Sequence, residues 1–170
     1  MFKNLLHRSI LAAALAASAQ SALAVPSPDE VFDRYVAAAN AADMTTVRDL
    51  IAADVERSDF VGCRPEMDNP ACLAHYIQST IVAPQGRITV LRRHLDGDVV
   101  TAELAVRSRL AERAGVERIL GRDVVRIAEG RIRAFRFIPD FSDEPTAVFF
   151  GTLGIGPRAV VPTAQTRGGQ

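Results

Sequence analysis

From Arg87 onward the hydrophobic period of this chain changes from 3.6 to 2, and that change limits the fold more than any other feature. Before Arg87, apolar residues recur every three or four positions. Phe32, Tyr35, Val36 and Ala39 fall at i, i+3, i+4 and i+7, the spacing of one helical face. Met44, Val47, Leu50 and Ile51 repeat that spacing, as do Leu73, Tyr76, Ile77, Thr80 and Ile81. After Arg87 the pattern alternates: Val100, Ala102, Leu104 and Val106 interleave with Thr101, Glu103, Ala105 and Arg107. Helices gathered ahead of strands define an α+β chain.

Local signals mark the ends of these elements. Ser27-Pro28-Asp29-Glu30 combines a capping box with proline at the first helical position, and predicts a helix ending near Ala41. Asp43 caps a second helix. Asn69-Pro70 reads as the cap and first turn of a third, broken by Pro84. Residues 54–61 read as an early strand carrying Val55, Arg57, Asp59 and Val61 on one side. Four strands follow, separated by turns at Asp96-Gly97, at residues 113–115 and at Glu129-Gly130; the last runs from Arg131 to Ile138 and ends at Pro139. A meander of such strands curves, takes the helices on one face and encloses a cavity suited to a small ligand. Beyond Phe141 the chain looks like an irregular tail, with Phe149, Phe150, Leu153 and Ile155 interrupted by glycines. Its last ten residues have a disordered composition.

The first 24 residues read as a secretory signal peptide. Lys3, His7 and Arg8 precede a short apolar run, and Ala22-Leu23-Ala24 is a cleavage site. The expected divisions are therefore residues 1–24 as the signal, 25–140 as the domain and 141–170 as the tail. A periplasmic or secreted location follows, with no membrane attachment after cleavage. Lys3 is the only lysine, so the mature chain has no lysine amine for Schiff-base chemistry. An oxidising compartment makes Cys63 and Cys72, the only cysteines, an expected disulfide. The alternative use, a metal site with His75 and His94, lacks zinc-ligand spacing. Twenty basic residues balance twenty acidic ones, which argues against a nucleic-acid partner. No glycine-rich phosphate loop joins a strand to a helix, so no nucleotide or flavin cofactor is expected.

Three side chains carry the chemistry. Alternation along the third strand puts Asp123 on the core face with Ile119, Gly121, Val125 and Ile127, and Arg118, Arg122 and Arg126 on the other. A carboxylate there is costly unless it is paired or protonated. Either an arginine or a backbone amide satisfies it, or it stays neutral and donates a hydrogen bond. Tyr35 lies on the buried helical face, where its hydroxyl needs a partner or merely packs. Asp59 is either an ion pair with Arg57 or a general base at the cavity rim. Alternation from Ile88 and Val90 also turns His94 inward.

Residues 34–36 and 42–44, then 53–59, resemble the first two helices and following strand of the nuclear transport factor 2-like group, which includes SnoaL-like polyketide cyclases and ketosteroid isomerases. Asp123-Val124-Val125-Arg126-Ile127 followed by Glu129-Gly130-Arg131-Ile132 resembles its strand–turn–strand signature. The resemblance implies a cystatin-like, cone-shaped barrel: a curved antiparallel sheet covered by three N-terminal helices. It also implies a homodimer through the open sheet face. Matched segment by segment to the isomerases, Tyr35 falls at the tyrosine position, Asp59 at the base and Asp123 at the protonated acid. That enzyme is a worked example of a neutral buried acid beside a tyrosine. The implied substrate is a small apolar molecule with a carbonyl. Asp59 would move the proton while Tyr35 and Asp123 hold the enolate oxygen. A cavity protein that binds without chemistry, or an interaction module, are the alternatives.

Overall fold

The computed structural model describes residues 24–56, 60 and 62–156. The expected signal segment up to Leu23, the last ten residues and Asp59 lie outside them. Helix α1 (Pro28–Asn40) starts with the predicted capping box: Ser27 Oγ accepts from Glu30 N–H, and Glu30 accepts from Ser27 N–H. Helix α2 (Met44–Leu50) is capped by Asp43. Helix α3 (Asn69–Ile77) is capped by Asp68, one residue earlier than predicted. That shift frees the Asn69 side chain to donate to Val55 O at 3.0 Å. The helical face predicted as far as Ile81 continues past Ile77 as a π-helical turn (Gln78–Val82).

Four strands make one antiparallel meander in the order β1 (Arg87–Asp96), β2 (Val99–Arg107), β3 (Ile119–Ala128) and β4 (Arg131–Pro139). Gly97 at φ +60° begins the first hairpin turn. Glu129 and Gly130, at φ +53° and +71°, make the last, the left-handed pair that a tight two-residue hairpin requires. Helix α4 (Arg109–Arg113) fills the link between β2 and β3, where only a turn was expected; Ser108 caps it.

The inner face of the sheet meets α1, α2 and α3. Phe32, Tyr35, Val47, Leu73, Ile77, Leu104, Val125 and Ile132 are almost fully buried between them. Asn40 ties the layers together: its amide donates to Ile88 O at 2.9 Å and accepts from Ile88 N–H at 2.7 Å.

Three expectations need correction. The early strand is not a strand among the described residues. Only Ile51 bridges Ile132, and Ala52 and Glu56 N–H groups reach Ile132 O and Arg133 O. The segment follows the edge of β4 without regular pairing. His94 does not face inward. A bulge between Val90 and Arg92 shifts the register, so Arg93 lies opposite buried Ala102, while His94 lies opposite Thr101 and is exposed. One extra residue reverses the faces of everything beyond it. Finally, the stretch after Phe141 forms helix α5 (Glu144–Thr152), capped by Asp143 with proline in its first turn. Ser142-Asp143-Glu144-Pro145, turn-like in the sequence, holds the cap and first turn of this helix.

Candidate active site

Strict alternation on β3 positions the central acid. Ile119, Gly121, Asp123, Val125 and Ile127 are buried, and Arg122 between them is exposed. Asp123 is 2% exposed and pairs across the sheet with Ala102 on β2 and Phe137 on β4. It lines an apolar cavity of about 300 Å³ together with Tyr35 from α1 and Tyr76 from α3. This size is at the lower end of small-molecule pockets.

Aromatic packing fixes the two tyrosines. The Tyr35 ring meets Phe135 edge-on at 5.7 Å and tilts against Phe32 at 5.9 Å. The Tyr76 ring stacks on Phe60 at 4.7 Å and also touches Phe135, at 6.2 Å. Cys63 and Cys72 are joined by a disulfide, with Cα atoms 5.2 Å apart. The bridge fastens the loop after Phe60 to the helix that carries Tyr76.

Electrostatics follow from burial. Taking the Asp123 carboxyl out of water raises its pKa to about 8. Burial, and next the charge of Asp123, push the Tyr35 hydroxyl well above its ordinary value. The same two causes raise Tyr76. Burial thus favours the protonated form of all three groups. Among the described residues no arginine pairs with Asp123. Arg118 pairs with Asp143, and Arg126 with Glu56. Burial thus shifts Asp123 toward its neutral form, with no arginine among the described residues to oppose it. Tyr35, Tyr76 and Asp123 thus bring three O–H groups to the lining of one apolar cavity.

Of the three residues singled out in the sequence, Tyr35 and Asp123 line the same cavity. Asp59 and its neighbour Arg57 are outside the described residues. Tyr76 was placed on a helical face but given no role. It is one of only two tyrosines in the chain, and a hydroxyl on an otherwise apolar face was the available signal. No histidine lines the cavity. Among the described residues no cluster of His, Cys, Asp or Glu is arranged to hold a metal, and no helix is long and apolar enough to cross a membrane.

A family model for the SnoaL-like domain matches residues 32–135. The chain belongs to the SnoaL-like family. Solved structures share its fold at low identity. A candidate polyketide cyclase from Streptomyces antibioticus is 22% identical, with a TM-score of 0.55, covering 75% of this chain and 99% of that one. A Δ5-3-ketosteroid isomerase from Mycobacterium sp. is 16% identical, with a TM-score of 0.52, covering 69% and 96%. A cystatin-fold protein from Novosphingobium aromaticivorans is 17% identical, with a TM-score of 0.51, covering 66% and 98%. No curated protein sequence matches the chain. In this SnoaL-like chain, Tyr35, Tyr76 and Asp123 all fall within the matched span, whereas α5 lies beyond it.

Proposed function

We propose that this SnoaL-like protein catalyses proton transfer next to the carbonyl of a small apolar molecule, as an isomerase or cyclase. The observation that carries this reading is a buried carboxyl with a pKa of about 8 in an apolar cavity that also holds two tyrosine hydroxyls. Asp59 is the base: it takes a proton from the carbon beside the carbonyl and returns it at another carbon. Tyr35 and Asp123 donate to the enolate oxygen in between, and Tyr76 supports them from α3. An isomerase and a candidate cyclase among the structures that share its fold support this reading.

The protein works outside the cytoplasm, after loss of its first 24 residues. The Cys63–Cys72 bridge supports this. A homodimer would use the open sheet face, where Leu91 is 57% exposed.

The deciding experiment is deuterium exchange into an unsaturated ketone, measured with and without Asp59→Asn. Turnover should fall about 10²–10⁴-fold, while affinity for a neutral ketone stays nearly unchanged. Equal exchange by the variant would remove Asp59 from the mechanism. Binding without any exchange in the native protein would make it a carrier.

A further inference from the structure

Beyond residue 135, where the family match ends, the chain builds one more wall of the cavity. Helix α5 supplies Phe149 and Phe150, and the turn after it supplies Leu153 and Ile155.

The two ends of this wall are held differently. At the start of α5, Arg118 Nη1 donates to both oxygens of Asp143 at 3.0 Å. The Thr146 hydroxyl is fully buried; it donates to Asp143 Oδ2 and accepts from Leu120 N–H, both at 2.7 Å. Polar bonds thus rivet this end to the first residues of β3. At the other end, among the described residues, no side-chain hydrogen bond ties residues 150–156 to the sheet. Leu153 is 54% exposed, and Gly154 turns the chain at φ +71°. Apolar packing, with the rings of α5 foremost, holds this end against the sheet.

Phe150 makes most of that contact. Its ring stacks on Phe137 at 6.4 Å and meets Phe141 and Phe149 edge-on at 5.7 and 5.1 Å. Phe137 is the β4 partner of Asp123. Its ring lies directly over Gly121, where an added Cβ would be 2.4 Å from it. Glycine at 121 lets Phe137 lie flat on the sheet, and Phe150 packs on top. The row Phe150–Phe137 therefore runs from the outer wall to the strand position beside the acid.

We infer that Phe150 is the specificity-determining residue of this cavity, setting how many fused rings a flat, neutral ligand can carry. Aromatic faces on the wall favour a flat ring system. The lining includes no arginine, so a carboxylate or phosphate ligand would be buried without a counter-charge. This assignment rests on the site proposed above, where a carbonyl or phenol oxygen meets Tyr35 and Asp123.

The test titrates the full chain with two neutral phenols of different size, 2-naphthol with two fused rings and 1-hydroxypyrene with four, followed by their own fluorescence. Phe150→Ala should raise affinity for hydroxypyrene relative to naphthol by about tenfold or more, the scale on which a pocket wall discriminates. Leu153→Ala, on the same wall but outside the Phe137 stack, should move the ratio less. Phe150→Leu serves if the alanine variant fails to fold, and should give an intermediate ratio. If a folded Phe150 variant shifts both probes equally, or neither, the assignment to Phe150 is overturned while the site stands. If naphthol does not bind the native chain, or binds Tyr35→Phe and Asp123→Leu just as well, the site falls, and this inference with it.

Discussion

The polar cluster of the cavity and its α5 wall are built on different principles. Tyr35 and Asp123 project from the middle of a thirteen-residue helix and a ten-residue strand, and Tyr76 from the last turn of α3, braced by its stack on Phe60. The α5 wall hangs from one polar anchor, Arg118–Asp143–Thr146–Leu120, and is otherwise held by ring packing. Chemistry that needs placement to a fraction of an ångström sits on the first kind of support. A surface that need only exclude water and select shape can sit on the second.

The largest expected effect breaks or confirms the neutral acid. Burial raises Asp123 in the folded chain to about 8, above the unfolded value of about 3.9. The folded state then keeps a proton that the unfolded state has lost. Its stabilising contribution is complete below about pH 4 and is lost as pH rises through about 8, a change on the order of several kcal/mol. Urea midpoints of the native chain should fall between pH 5 and pH 9, and those of Asp123→Asn should fall much less. Parallel slopes would show that Asp123 is already ionised at neutral pH.

A smaller effect concerns the brace behind the cluster. Opening Cys63–Cys72 with reductant, or by Cys63→Ser, should lower stability by about 2–3 kcal/mol, seen as a lower melting temperature. It should also weaken naphthol binding, because the Phe60–Tyr76 stack adjoins the bridge. Unchanged binding after reduction would mean that the cluster holds its shape without the loop.

The smallest effect sharpens the contrast from the α5 side. Thr146→Val leaves the Leu120 N–H without its acceptor, a loss of about 1–2 kcal/mol. Hydrogen exchange should speed up at Leu120 and along α5, while the pH slope set by Asp123 persists. Equal protection of α5 in the variant would remove Thr146 as the anchor.

The sequence alone determined what local physics controls. The capping box at Ser27, the cap at Asp43 and the two hairpin turns depend on neighbours within a few residues. Their signals are therefore complete in the chain. Alternation was enough to bury Asp123 and expose Arg122, because side chains on a strand change face at every residue. Tertiary structure decided the rest. The bulge after Val90 turned His94 outward, a matter of pairing with β2 rather than of the β1 sequence. The segment after Ala52 remained irregular because it meets only the edge of β4. Glycines hid α5, whose stability comes from Thr146 reaching β3 and from Phe150 stacking on Phe137. Tyr76 joined Tyr35 and Asp123 only when α3 packed over the sheet. Periodicity can name the face on which a hydroxyl sits. The packing of elements far apart in sequence decides which acid it will meet.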